Sequence, residues 1–589
     1  VFGIIFKRKR VKIKNMNDNI YFNDKENQEL IKLFELKKFS DAKKKAKEIL
    51  LNHPNAYVVH NIFGAILSAE NDFDKAIEHY KKAIKIKSDY AEAYNNLGTT
   101  MQKIHNLNEA ILNYKFALKN KPKFAEAYNN LGTALHKVGS FNDAIFNFNQ
   151  AIKIKKNYEE AITNLGNSLF EQGNFQEAII KYKSAISINS NYAKAYSFLG
   201  NSFTKLGKYD EAIANHRKAI EIDPKSEEVY CNLGNTFAEM KIFKEAINNY
   251  HKAILINPNY NEALFNESLA KLTLGEFEEG WKKYEFRFDR KSNYHQDINV
   301  INSMRYPDSK VWKGEYLDGT LLIWAEQGIG DHILFSSMLT DLSKSAKYII
   351  IEIDNRLVNL LKRYFDKLNF SNIKIKSTDK KLPDGFDKHI AIGSLGQYLR
   401  KSKESFKNTP KKFLVTSNSI ENKLKKNFFK SKKFKVGISW KTLNKKQQNR
   451  NIDLIQMTSI LSNPNCEFFN LQFGNSYNDI KEIFSKKKIK IQTISEVDNF
   501  NDIDSFAALI NCLDLIITIQ NSTAHLSCAL GKKTWIMLAN NARWHWLLNE
   551  KKSLWYPTAT LFRQEKIGDW NTVINSIGME LKKLEIFKK

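Results

Sequence analysis

Two short stretches of the chain hold residue types whose spacing suits chemistry. The first, LLIWAEQGIGDHILF, reads as a strand, a turn carrying Gly328 and Gly330, and then Asp331 at the opening of a helix. A glycine turn by itself only reverses the chain, and an Asp at that position is either the helix cap or a catalytic carboxylate. The second, LDLIITIQNSTAHLSCALGKKTWIML, ends a buried strand at Gln520. It turns through Asn521, Ser522 and Thr523, and places His525 in the first turn of a helix. Hydroxyls and open backbone N–H groups at a helix N-terminus make an anion site suited to a pyrophosphate, to which His525 would add a donor. Ordinary capping and a satisfied core histidine would use the same residues, and the strand-to-helix context favours the anion site.

The elements that must position these loops are short apolar strands alternating with helical stretches, a pattern of α/β architecture. Strands are expected at 320–324, 348–353, 388–392, 435–439, 468–472, 488–492, 515–519 and 534–538. The Lys-rich stretch 416–433 reads as a linker between two groups of strands. Two Rossmann-like lobes, 311–415 and 434–589, are therefore expected to face one cleft. Ahead of them, 289–310 reads as a linker or cap.

The preceding half repeats. A small residue recurs at Gly64, Gly98, Gly132, Gly166, Gly200 and Gly234, each 34 residues from the last. A second column with the same period runs Ala42, Ala76, Ala110, Ala144, Ala178, Ala212 and Ala246, ending on Gly280. A third is mostly aromatic: Tyr80, Tyr114, Phe148, Tyr182, His216, Tyr250 and Tyr284. Small residues let two helices approach, aromatics fill the space between hairpins, and Pro54, Pro122, Pro224 and Pro258 close the second helix. This is the tetratricopeptide pattern, and it predicts an α-solenoid of helical hairpins over 23–288 with a concave binding surface.

One further column can contact a ligand. Asn96, Asn130, Asn164, Asn232 and Asn266 stand two residues before the glycine mark, with Phe198 interrupting. A primary amide offers both donor and acceptor, so it can pair with peptide backbone without reading side chains. Repeats about 10 Å apart match roughly three residues of extended chain. The column is either a ladder that clamps an unfolded polypeptide or a tolerated consensus residue.

Composition bounds the rest. At 589 residues, 42% hydrophobic and 26% charged, the chain is globular and needs more than one domain. No stretch has the roughly 18 apolar residues of a membrane span. The segment 1–22 begins with an apolar run followed by basic residues, the reverse of a secretory signal. With Met16 close behind, residues 1–15 read as an over-extended start. Cys231, Cys466, Cys512 and Cys528 are scattered without metal or disulfide spacing, as expected in a reducing cytoplasm. The net charge of +28 raises a nucleic-acid reading. Lysine spread along the whole chain, with its densest runs at 423–435 and 486–490, favours compositional bias and solvated faces instead.

The C-terminal half resembles the bacterial heptosyltransferase-like glycosyltransferases (family 9), in the branch fused to tetratricopeptide repeats. The stretches carrying the likeness are VWKGEYLDGTLLIWAEQGIGDHILF, KVGISWKT with NRNIDL, FFNLQFG, SFAALINCLDLIITIQNSTAHLSCALGKKTWIML and WHWLLNEKKSLWYPTATLFRQEKIGDW. The repeat-plus-transferase order is also similar to the eukaryotic O-linked N-acetylglucosamine transferase, whose superhelix carries such an asparagine ladder. The resemblance implies a GT-B fold with no metal and no resident cofactor, and a nucleotide-diphosphate sugar as substrate held mainly by the C-terminal lobe. It implies Asp331 as the general base of an inverting displacement and Arg450 on the phosphates. The loop of Gly328 and Gly330 and the loop of Gln520, Asn521, Ser522, Thr523 and His525 would hold the donor. Gln520–Asn521 departs from the heptosyltransferases proper, so heptose is not implied. Trp544, Trp546, Trp555 and Trp570 resemble the family's closing segment and read as core rather than sugar-stacking residues.

The function expected is transfer of a sugar to a hydroxyl, on a protein held by the repeats. A non-catalytic scaffold with a degenerate transferase fold, and a transferase for lipid-linked or surface glycans, are the alternatives. Oligomeric state, sugar and nucleotide are not readable from the sequence.

Overall fold

The computed structural model describes residues 24–288, 306–378, 385–443 and 445–586. The expectations for 1–22 and for most of the 289–310 linker fall outside the described residues. By backbone proximity the chain divides into two compact units, Val1–Pro224 and Lys225–Lys589.

The first unit holds six helical hairpins, from Asp24–Glu35 paired with Phe39–Asn52 to Ala193–Lys205 paired with Tyr209–Ile222. The small-residue and aromatic columns meet inside each hairpin. A Cβ added at Gly98 would stand 2.8 Å from the Tyr114 ring, and one at Gly166 would stand 2.6 Å from that of Tyr182. Only hydrogen fits there, so glycine sets how closely the two helices approach. The second helices end at Asn52, Asn120 and Ile222, two residues before Pro54, Pro122 and Pro224.

The turn inside each hairpin needs one left-handed residue. Lys37, Asn71, His105, Gly139, Gly173 and Gly207 all take positive φ, between 58° and 85°. Their common register is again 34 residues, and Lys241 (φ 62°) and Gly275 (φ 82°) continue it in the second unit. Glycine accepts this conformation at no steric cost, whereas a Cβ strains it.

The second unit opens with two more hairpins, Glu227–Glu239 with Phe243–Ile256 and Asn261–Leu274 with Phe277–Tyr284. Two sheets follow. The first contains β1 (Leu317–Trp324), β2 (Ala346–Ile353), β3 (Ile373–Ser377) and β4 (Lys388–Ala391) in the order β3-β2-β1-β4. The second contains β5 (Phe434–Ser439), β6 (Cys466–Asn470), β7 (Ile491–Gln492), β8 (Leu515–Ile519), β9 (Thr534–Leu538) and β10 (Ala559–Arg563) in the order β10-β9-β8-β5-β6-β7. Every pairing is parallel. β8 and β9 are buried along their whole length, as strands covered on both faces must be. The α-solenoid followed by an α/β region is thus the architecture found.

Several local expectations change. The 416–433 stretch contains the helix Asn418–Phe428, with Glu421 and Leu424 buried, because its apolar positions recur at helical spacing beneath the lysines. The strand expected at 488–492 shrinks to two residues, since Lys488 takes a left-handed φ of 56° to end the preceding helix. β3 and β10 are additional strands, and in β3 isoleucine alternates with lysine (IKIKS), the pattern of a half-buried strand.

One buried cluster of the second unit joins its last hairpin to both sheets. Leu272, Phe277, Trp281 and Tyr284 of the last hairpin pack in the same buried cluster as residues of both sheets.

Candidate active site

In open parallel sheets ligands bind beyond the carboxyl ends of the strands, where neighbouring strands lead away in opposite directions. β1 lies between β2 and β4, and β5 and β8 are neighbours from which the second sheet grows outward both ways. The two loops singled out above leave the carboxyl ends of β1 and β8.

After β1 the chain passes through Glu326 and Gln327, the latter left-handed at φ 64°, into the helix Ile329–Ser336. Asp331 lies in its first turn, and the helix has no side-chain cap. The Asp331 carboxylate instead accepts from Arg543 Nη1 at 3.1 and 3.3 Å. A Cβ on Gly328 would stand in ordinary contact with the Asp331 carboxylate, at 3.9 Å. A Cβ on Gly330 would lie 3.2 Å from His525 Cδ2. Gly330 and His525 therefore bring the β1 and β8 loops together.

After β8, Asn521 caps the helix Ser522–Ala529. Its Oδ1 accepts from the Ala524 amide at 3.3 Å and from the Thr518 hydroxyl at 3.0 Å, and its Nδ2 donates to Ser439 Oγ at 2.8 Å. Thr523 is buried and donates to the Leu471 carbonyl. Both side chains are thus engaged in holding the loop. What they offer a ligand is backbone, since N–H groups of the first turn precede the intrahelical ladder. Ser522 is half-exposed.

His525 is enclosed. Its Nδ1 lies 2.8 Å from the Tyr556 hydroxyl and its ring stacks on Trp546. Burial, aided by nearby Arg543, lowers its pKa to about 3. It is neutral, not a cation, and its Nδ1 is engaged with the Tyr556 hydroxyl while its Cδ2–Nε2 edge faces Gly330.

The positive charge comes from two arginines. Arg450 ends a 3-10 turn after β5 and donates Nη1 to Gln447 Oε1 at 2.6 Å. Its Nε is buried without a partner among the described residues. Burial and the neighbouring Arg543 lower its pKa to about 10. Arg543 donates its backbone N–H to Gln520 Oε1 at 3.4 Å, which leaves Gln520 Nε2 buried and unpartnered. His545 Nε2 is unpartnered too, and burial followed by His525, Arg543 and Arg450 holds its pKa well below the usual value. Buried polar nitrogens without partners are costly; Gln520 directly precedes the Asn521 cap of the Ser522 helix, and Arg450, Arg543 and His545 lie near enough to perturb one another's charge. An anion would satisfy them. Arg543 was not singled out from the sequence, because its partner Asp331 lies 212 residues away.

The asparagine column has a partner column. Asn96 Nδ2 donates to Asn61 Oδ1, Asn130 Nδ2 to Asn95 Oδ1, and Asn164 Nδ2 to Asn129 Oδ1, each at 3.0 Å. In the second unit Asn266 Nδ2 donates to Asn235 Oδ1, also at 3.0 Å. These amides join one repeat to the next, while each ladder side chain, Asn232 included, remains half-exposed. Nδ2 of Asn96, Asn130, Asn164 and Asn266 therefore serves the scaffold, with Asn164 also reaching Thr133 Oγ1 and Asn266 also reaching Cys231 Sγ.

Trp546, Trp555 and Trp570 are buried, and Trp544 packs edge-on to Trp281. The four cysteines are free. Among the described residues no group of three or more His, Cys, Asp or Glu is placed to hold a metal, and no helix is long and apolar enough to cross a membrane.

Comparison with known proteins identifies the repeats. The family description "TPR repeat" matches residues 64–104, 106–139, 166–203 and 200–241, and "Tetratricopeptide repeat" matches 125–158 and 227–260. Protein FlbA of Caulobacter vibrioides is 28% identical over 336 residues, 54% of this chain and 54% of its own. The chain thus spans about half the length of that curated relative. Among solved structures, MamA is 32% identical over 28% of this chain and 95% of its own, with a TM-score of 0.26. YrrB, described as a TPR protein with an unusual peptide-binding site, is 25% identical over 33% of this chain and 100% of its own, also with a TM-score of 0.26. The N-terminal half is a tetratricopeptide array, a module that typically binds protein or peptide partners.

Proposed function

We propose that the protein is a glycosyltransferase that moves a sugar from a nucleotide-diphosphate donor to a hydroxyl, on a polypeptide held by the repeats. The observation that carries this reading is the set of unpartnered buried nitrogens on Arg450, Gln520 and His545, in the neighbourhood of Arg543, whose guanidinium holds the Asp331 carboxylate. In the proposed step the acceptor oxygen attacks the anomeric carbon while Asp331 takes its proton. The bond from that carbon to the diphosphate oxygen breaks. The charge left on the departing diphosphate is met by the Ser522 and Thr523 amides, Arg450 and Arg543, groups already in place before the reaction. Arg543 orients the Asp331 carboxylate in the free protein and is placed to turn to the donor when it binds.

A non-catalytic protein-binding module is the second reading. It is favoured by the Arg543–Asp331 pair, which occupies the base. One experiment separates the two. A thermal-shift panel of sugar nucleotides on the full chain should find a donor whose binding, at a hundredfold excess over Kd, adds about 2.7 kcal/mol to stability. Arg450→Ala should remove that shift. Asp331→Asn should keep the shift and abolish transfer of labelled sugar to protease-sensitive material. A panel in which no sugar nucleotide moves the melting temperature rejects the transferase reading.

A further inference from the structure

The last repeat hairpin does more than end the array. Arg287, just after it, is buried and uses all five of its N–H donors. Nε and Nη2 fork onto Glu326 at 2.8 and 2.6 Å, and Nη2 also reaches Ser394 Oγ at 2.7 Å. Nη1 donates to the Tyr284 carbonyl at 3.0 Å and to Glu285 at 2.7 Å. Ser394 Oγ closes the ring by donating to Glu285 Oε2 at 2.9 Å, and the Gly393 amide donates to Glu326 Oε1 at 3.1 Å. A guanidinium has five donors and no acceptor, so no group in this network is left over. Burial works against both charges, yet Glu285 and Glu326 hold the Arg287 charge above its usual range.

Glu326 is the second residue of the loop that leads from β1 to Asp331. The next residue, Gln327, sits in a left-handed conformation that costs an L side chain energy. Its amide donates to the Tyr284 hydroxyl at 3.3 Å. The same hairpin also reaches the other side of the ion pair. Trp281 and Tyr284 pack on Trp544, at 5.4 and 5.9 Å between ring centroids, and Trp544 adjoins Arg543. Trp281 is fixed in turn by its Nε1–H to the Arg400 carbonyl at 2.8 Å and by Gly396, where a Cβ would lie 2.4 Å from the indole.

We infer that Tyr284 and Arg287 are positioning residues for the active-site loop, through which the final repeat sets the placement of Asp331 against Arg543. The strained turn at Gln327 is held from the repeat side, so the repeat and the loop form one mechanical element. In naming Asp331 as a base, this rests on the function proposed above, whereas the loop's rigidity does not.

The test uses the full chain and three variants. Arg287→Lys keeps a charge but loses the fork, Tyr284→Phe deletes only the hydroxyl facing Gln327, and Tyr250→Phe in the preceding hairpin removes a bond to Asn235 distant from the loop. Hydrogen exchange of peptides covering 325–337 is compared at temperatures equally far below each melting point. Arg287→Lys should accelerate loop exchange by about tenfold or more, and Tyr284→Phe by about threefold. Tyr250→Phe should leave it unchanged. Should Arg287→Lys fail to fold, Tyr284→Phe decides alone. Loop exchange in the two loop variants no faster than in Tyr250→Phe overturns the inference. Absence of any shift across the sugar-nucleotide panel in the unaltered chain would count against the transferase reading, and the exchange comparison would still decide the positioning role.

Discussion

His216 occupies the aromatic column of the sixth hairpin, where other repeats carry Tyr or Phe. It is fully buried, and neither ring nitrogen has a partner among the described residues. Burial lowers its pKa to about 3. The folded protein therefore keeps it neutral, while the unfolded chain takes up a proton below the ordinary value of 6.5. The unfolded state then binds more protons, so stability is complete above pH 6.5 and falls as pH drops toward 3. At about 1.36 kcal/mol per unit, the loss at pH 5 is about 2 kcal/mol. Replacement by tyrosine should remove it. Tyr182 and Tyr250 donate their hydroxyls to Asn167 and Asn235, each fifteen residues earlier, at 2.8 and 2.9 Å. Asn201 stands at that register before His216. His216→Tyr should therefore stabilise by about 1 kcal/mol at pH 8, through one new bond and two fewer orphaned nitrogens. The gain should grow to about 3 kcal/mol at pH 5. Because the chain has two compact units, a local readout isolates this hairpin better than a global transition does. Native-state hydrogen exchange of the hairpin 193–222 at both pH values measures the local free energy. An equal effect of the substitution at pH 8 and pH 5 would show that His216 does not titrate differently in the folded and unfolded chain.

Three further outcomes follow from the geometry. Lys241→Gly relieves a left-handed Cβ at a turn where Gly139, Gly173 and Gly207 already stand, and should raise stability by up to about 1 kcal/mol. Asn71→Gly, at a residue type that tolerates this conformation, should gain little, and melting temperatures compare the two. Asn130→Asp replaces the donor to Asn95 with an acceptor and leaves a buried oxygen unpaired, which should cost about 1–3 kcal/mol in denaturant unfolding. Gly330→Ala places a methyl 3.2 Å from His525, a ring held by Tyr556 and Trp546, and should cost about 1–3 kcal/mol by calorimetry.

The repeat was legible because its spacing is local and recurs eight times along the solenoid's turns. The strands at 515–519 and 534–538 were legible because full burial makes them uninterrupted apolar runs. Other features depend on contacts between distant segments. The asparagine column was visible, but its acceptors Asn61, Asn95 and Asn129 lie 35 residues earlier and meet it only when repeats stack. Asp331 and the Ser522 helix stood out as strand-to-helix turns, whereas Arg543 carried no local signal beyond being the arginine in NNARWHW. Neutral His525 could not be foreseen, since the aromatic enclosure that keeps it uncharged comes from Trp546 and Tyr556. The helix within 416–433 was masked by its lysines, which lie on its outer face while Leu424 points inward.

The shared core of the second unit sets limits on how such a chain can be recombined. Hairpins before Pro224 resemble interchangeable cassettes, able to be duplicated, lost or exchanged as whole 34-residue turns. The hairpin Asn261–Tyr284 is not one of them, because Trp281 fills a space that Gly396 leaves for it and Arg287 neutralises an otherwise isolated Glu326. A hybrid joined at residue 288 would inherit a bare glycine pocket and an unopposed buried carboxylate. One joined near 224 would carry both halves of each fit, so successful chimaeras should cluster at that earlier seam.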